Sequence, residues 1–295
     1  MSKSMEAAVA KLSAVGLDDL RHAAELQIRK DRKYIVPLND LTDILIDNGL
    51  SVLEIDGRRS FHYESVYFDT SDLLTYKAAA HKRRRRFKVR TRSYMDSGLC
   101  WIEVKVRSGR GMNEKHRLPY DITKRDRLTE EGLDFINGFG SVAAANTHLR
   151  PVLTTRYDRI TLLEEETSSR VTVDIGFEAE DRRGDKTGLA DVAIVETKTD
   201  GNPCSIDHAL WAAHHRPTKI SKFAAGLAVL TPGLPANKWN RALREYFGWV
   251  PAQRQSLPLP YRLLDRQHVG TARLPTGRSR STIPSHRRQR RPSQT

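Results

Sequence analysis

The residues best suited to chemistry are cations spaced two apart. Between Lys82 and Arg117 the chain reads KRRRRFKVRTRSY, then CWIEVKVR, then MNEKHRL, with a Met-Asp-Ser-Gly turn signal between the first two pieces. Arg84, Arg86, Lys88, Arg90 and Arg92 hold the even positions of the first piece, against Phe87, Val89, Thr91 and Ser93 at the odd ones. In the second piece Trp101, Glu103, Lys105 and Arg107 alternate with Cys100, Ile102, Val104 and Val106. Two like charges about 4 Å apart repel by about 4 kcal/mol at an effective dielectric near 20, so this crowding invites a multiply charged anion. Capture of a polyanion is the chemistry that follows. A basic face turned to water or to RNA would use the same residues.

These cations act together only if the backbone holds them on one face. Alternation is the strand period, and antiparallel pairing across the 95–98 turn sets two charged faces side by side. Later segments repeat the scheme. In 168–177 Arg170, Thr172 and Asp174 oppose Val171, Val173, Ile175 and Phe177; in 153–161 Tyr157 and Arg159 share a face with Thr155 and Thr161. Ile194, Glu196 and Lys198 share another face. An opening strand alternates Arg29, Asp31 and Lys33 with Ile28, Lys30 and Tyr34, and 61–69 reads as a further strand. Helical spacing marks 38–49, 71–81, 125–139, 205–215, 221–230 and 237–247, and a helical stretch over 5–24 is interrupted near Gly16. The DRRGDKTG segment at 181–188 reads as a polar hairpin-type loop. A sheet with helices on its apolar face and a polar face closed on itself predicts an α+β fold built as an antiparallel β-barrel with a charged lumen.

KYIVP at 33–37, SVYFDT at 65–70, RRRRFKVRTRSYMDSG at 83–98 and IEVKVRSGRG at 102–111 resemble a VTC domain, as do YDR at 157–159, VETK at 195–198 and KISKF at 219–223. The family takes its name from the vacuolar transporter chaperone polyphosphate polymerase and belongs to the triphosphate tunnel (CYTH-like) superfamily. The resemblance covers about residues 27–226, with the motifs in family order. It implies a tunnel barrel that binds ATP and polyphosphate with Mg²⁺ or Mn²⁺. Under it Lys33, Arg90, Arg92, Lys105 and Lys115 take phosphate-binding positions, with Arg29, Arg117 and Lys198 as further cations. Arg159 and Lys222 take catalytic positions, Arg159 also binding phosphate, and Glu196 takes the metal position. The planar forks of Arg90 and Arg92 suit neighbouring phosphates. The activity so implied is transfer of the ATP γ-phosphate to a growing polyphosphate chain, whose terminal phosphate is the nucleophile. A triphosphatase of the same fold and a binding module without turnover are the alternatives. Glu103 and Asp174 are weaker metal candidates.

Composition bounds the rest. Net charge is +14, yet residues 266–295 carry eight Arg and no Lys, Asp or Glu, leaving the other 265 residues at +6. A body so mildly basic argues for a concentrated site and against a specific nucleic-acid partner. We expect an N-terminal helical extension over 1–24, a catalytic domain over 25–250, and a basic, disordered tail over 251–295. Cys100 and Cys204 stand in no metal-binding spacing. The first eleven residues lack the apolar core of a signal peptide and no run approaches a bilayer span, so a cytoplasmic location is expected. Attachment to a membrane would then require a separate membrane-protein partner.

Overall fold

The structure is a computed structural model, and it describes residues 3–23, 30–107, 113–143 and 148–251. Its first part runs α1 (Lys3–Ala10), β1 (Ser13–Val15), α2 (Leu17–Ala23), β2 (Lys30–Pro37), α3 (Leu38–Ile46) and β3 (Ser51–Leu53). Then come β4 (Phe61–Asp69), α4 (Leu74–Ala80), β5 (Phe87–Tyr94), β6 (Leu99–Arg107), β7 (Asn113–Pro119), α5 (Glu130–Asn137) and α6 (Gly140–Ala143). The last part holds β8 (Arg150–Glu164), β9 (Ser169–Asp181), β10 (Lys186–Leu189), β11 (Val192–Thr199), α7 (Ser205–Ala212), α8 (Lys222–Leu230) and α9 (Asn240–Phe247).

The cation ladder folds as the alternation predicts. β5 and β6 form an antiparallel pair in which Lys88 faces Lys105, Arg90 faces Glu103 and Arg92 faces Trp101. β7 continues the rows, with Lys115 beside Lys105 and Arg117 beside Glu103. The main path of the sheet is β2-β11-β9-β8-β4-β5-β6-β7, and the neighbours along it are antiparallel. Among the described residues β2 and β7 do not pair, so hydrogen bonds do not close the barrel. Yet Lys33 of β2 and Lys115 of β7 line one cavity, so the sheet is curled until its two edge strands face a common lumen.

Helices cover the convex face in two patches. Tyr34, Val36, Ile160, Leu162, Val171, Val173, Ala193 and Val195 pack with Met5 and Val9 of α1, Leu41 and Leu45 of α3, and Leu210 of α7. Leu41 and Leu45 lie one turn apart, which is why one face of α3 is apolar. The second patch joins Val66, Phe68, Val89, Ile102 and Val104 to Ile136 of α5 and Val142 of α6.

The concave face is split between charge and core. At one end α8 lies inside the curl, with Phe223, Ala224 and Leu227 against Ile35, Tyr67, Leu153, Phe177 and Ile194. Gly226 permits that approach, because a Cβ there would fall 2.7 Å from the Ala179 Cβ and 2.9 Å from Leu153 Cδ2. The alternation in β9 is broken by a bulge between the Arg156–Glu178 and Asp158–Ile175 pairs, with Gly176 at φ +62°. Val171, Val173 and Ile175 therefore join the convex core, whereas Phe177 turns inward to meet α8. Strict alternation places all four on one face, and the bulge corrects this for Phe177.

Several other boundaries differ from expectation. The ladder begins at Phe87, so Arg84 and Arg86 precede the strand. Of the helix expected over 125–139 only Glu130–Asn137 forms as α5, preceded by a 3-10 turn at Ile122–Lys124, because Asp121 and Thr129 each accept a backbone N–H and start a new turn. Three-residue β1 and β3 pair in parallel, and β10 pairs with β9 where a polar loop was expected. Arg29 and the basic tail lie outside the described residues.

Candidate functional site

One cavity of about 330 Å³ opens on the charged half of the concave face. Lys33 comes from β2; Lys88, Arg90 and Arg92 from β5; Lys105 from β6; Lys115 from β7. Arg159 of β8, Lys198 of β11 and Lys222 at the first turn of α8 complete nine cationic side chains, against Asp31, Glu103 and Glu196 in the same lining. The structure thus brings together nearly all of the cations expected at the site. Arg29 lies outside the described residues, and Arg117 is absent from the cavity lining, its guanidinium stacking on Trp101, 4.6 Å from the ring centroid.

Three carboxylates organise the cations in clamps. Glu103 takes Arg90 at 2.7 Å and Lys115 at 2.6 Å. Asp174 lies buried behind the lining, where Arg159 donates to both of its oxygens at 2.6 and 2.8 Å and Lys222 bonds the second. Glu196 bonds Lys33 and stands 3.6 Å from Lys198. Burial alone would raise the pKa of each acid. The adjacent cations prevail, holding Asp174 down at about 2 and Glu103 and Glu196 well below the usual carboxylate range.

Other cations are held less completely by carboxylates. Lys88 donates to Ser221 Oγ at 3.2 Å and rests over Tyr67 and Phe223. Its burial, together with Arg90 and Lys105, lowers the ammonium to about 8. Lys198 is lowered to about 8, first by burial and then by Arg170 and Arg159 against the pull of Glu196. Among the described residues Arg92 hydrogen-bonds the Tyr157 hydroxyl at 3.4 Å, and its buried Nε has no hydrogen-bond partner. A buried, unanswered guanidinium N–H costs free energy unless a ligand accepts it. The surplus of donors suits an anion with several oxygens.

Some of the lining was not anticipated as part of the site. Lys88 stood in the ladder, so its face was readable although its role was not assigned. Tyr67 lies under Arg90, which donates to its hydroxyl at 3.1 Å. Burial would raise the Tyr67 phenol, but Arg90, Lys88 and Arg92 outweigh it and bring the pKa to about 8. Ser221 caps α8 and also receives Lys88, so the ladder and the helix bearing Lys222 are tied at one residue. No sequence period marks that tie.

Among the described residues no helix is long and apolar enough to cross a membrane, and no group of three or more His, Cys, Asp or Glu could hold a metal ion. The sequence profile of the VTC domain matches residues 28–231. No curated protein sequence matches the chain. Solved structures with a similar course include an adenylyl cyclase candidate from Hippeastrum with a dominant triphosphatase activity, at 16% identity and TM-score 0.45, over 68% of this chain and 95% of that one. An adenylate cyclase candidate from Vibrio parahaemolyticus matches at 12% identity and TM-score 0.39, over 66% and 95%. A protein from Pyrococcus horikoshii matches at 12% identity and TM-score 0.40, over 67% and 95%. All three likenesses are remote. The VTC profile, by contrast, spans most of the chain and every strand that lines the cavity, and the chain belongs to the VTC domain family.

Proposed function

We propose that the chain is a polyphosphate polymerase-like phosphotransferase that moves the γ-phosphate of ATP to the end of a polyphosphate chain. The observation carrying this reading is the convergence of nine cations, eight from strands that include both edges and Lys222 from α8, on one lumen holding three carboxylates. A triphosphate supplies the oxygens that Arg92 and Lys88 lack. Arg90 and Arg92, two residues apart on β5, hold neighbouring phosphates; Lys105 and Lys115 extend the track along the adjoining strands. Arg159 and Lys222 are fixed by Asp174 beside the transferring group, where preformed positive charge stabilises the charge spread over it. No protein nucleophile is required, because a terminal phosphate attacks.

Glu196 is the residue we assign to a divalent cation. A single carboxylate fits Mg²⁺ or Mn²⁺ when phosphate oxygens and water complete the shell, as is common for these ions. Glu196 meets this condition because Lys198 holds its second oxygen only loosely, at 3.6 Å. When bound there, the ion would supply positive charge that neutralises the phosphates. Incubation with ATP and Mn²⁺ tests the reading, with long chains detected by gel and free phosphate assayed alongside. Long chains are expected. Free phosphate alone would select the triphosphatase, and neither product would leave a binding module.

A further inference from the structure

The two ends of the charged lumen are unlike. Where β5 finishes, Tyr63 faces Tyr94 on one side and Tyr157 on the other, stacking on Tyr157 at 5.5 Å and 9°. Where β5 begins, the row is Lys88, Lys105 and Lys115, and the chain leading into it is Lys82, Arg83, Arg84, Arg85 and Arg86. This loop leaves α4 by a tight turn, with Lys82 N donating to Ala79 O and Arg83 N to Ala78 O. The ammonium of Lys238, before α9, donates to the same Ala79 carbonyl at 3.3 Å. Lys82 and Lys238 thus meet at one backbone oxygen.

Resting on the proposed function, we propose that Lys82, Arg84, Arg85, Arg86 and Lys238 form a second anion-holding station outside the cavity, which grips a linear polyphosphate beyond the phosphates bound within. Among the described residues none of these five makes an ion pair with a carboxylate, and Lys82, Arg84 and Arg85 are exposed. Their fields overlap. Burial and then Arg86, Lys82, Lys219 and Arg107 hold Lys238 below its ordinary value, while Lys238 and Lys105 are among the cations acting on Lys88 inside. Cations therefore follow one another from Lys88 through Lys238 to the exposed loop. A triphosphate that fills the cavity would not extend to the loop residues; a longer chain would. Single-stranded nucleic acid carries phosphates too, but it is gripped through aromatic stacking as well, and the rings at this end, Tyr76, Phe223 and Trp239, are buried against one another.

The test compares the full chain with its Lys82→Gln, Arg84→Gln, Arg85→Gln triple variant. Affinities for tripolyphosphate, long-chain polyphosphate and single-stranded DNA are measured over a salt series. These side chains are exposed and outside the core, so an unchanged melting temperature is expected and verified first. Long-chain polyphosphate should bind about tenfold more weakly or worse, with a shallower salt dependence, while tripolyphosphate stays within about twofold. The Lys238→Gln variant should move in the same direction. Equal losses for both polyphosphates, or no loss for the long chain, would overturn the station. A loss for DNA as large as that for the long chain would make the loop a general nucleic-acid surface and overturn it too. A parent protein that binds no polyphosphate at all would instead remove the function on which the station rests.

Discussion

Arg32 and Lys33 are neighbours on β2 in two different settings for positive charge: Arg32 is buried, whereas Lys33 is half-buried and paired with Glu196 in the lumen. Arg32 points to the convex side, where Asp207 takes it at 3.1 Å and Thr199, Gly201 and Asn202 supply further acceptors. Asp207 is itself saturated, accepting also from Tyr34 at 2.5 Å, Thr197 at 2.8 Å and the Cys204 N–H at 3.1 Å. Lys33 points to the lumen, where cations outnumber carboxylates three to one. A buried charge with a full set of partners holds the fold in one arrangement. A buried surplus without them is unfavourable alone and is relieved by a ligand. Completeness of partners, more than burial, separates the structural charge from the functional charge here.

We predict the largest effect for Glu196→Gln, which should abolish product formation from ATP while tripolyphosphate still binds; full turnover in the variant would remove the metal role of Glu196. Lys222→Ala should lower turnover more than affinity, and equal losses would place that lysine in ground-state binding only.

Next in size is the convex side. Asp207→Ala leaves Arg32 buried and unpaired, so it should cost about 3–5 kcal/mol in denaturant unfolding. A loss near zero would show that the network is not what retains that charge. Arg92→Ala sharpens the contrast. It should weaken tripolyphosphate binding about ten- to hundredfold, as befits about 1.5–3 kcal/mol for a charge-assisted bond, without lowering stability. If it destabilises as Asp207→Ala does, the two kinds of buried charge are not distinct.

The smallest effect is in pH. Lys88, facing Tyr67, Arg90, Lys105 and Lys238, and Lys198, facing Glu196, Arg170 and Arg159, titrate at about 8 in the folded state. Unfolded lysine titrates at about 10.4, so the unfolded chain holds more protons between these values. Stability of the ligand-free protein should rise across that window, while tripolyphosphate affinity falls. Thermal unfolding and calorimetry from about pH 7 to about pH 9 measure both slopes, and parallel slopes would contradict the assignment.

Much of this was legible in the chain. Alternation exposed the inner face of β5, because no helix period fits Lys88, Arg90 and Arg92. The VETK and KISKF motifs pointed to Glu196 and Lys222, and both line the cavity. What alternation could not show is where it stops. The Gly176 bulge moves Phe177 inward, and no local property of Phe177 announces that. Nor does composition tell that α8 packs onto the concave face, since its contact depends on the absent Cβ of Gly226. Arg117 shares the period of Lys115 yet stacks on Trp101, a choice made by the neighbouring strand. Local periodicity assigns faces; long-range packing decides what each face meets.

The central claim is that the unanswered cations of the lumen await a polyanion. Calorimetric titration of the intact protein with tripolyphosphate, without nucleotide or metal, tests it directly, with thermal unfolding followed in parallel. One site should saturate and the melting temperature should rise with ligand, because binding favours only the folded state. Binding absent at low salt, or a melting temperature indifferent to tripolyphosphate, would contradict the account.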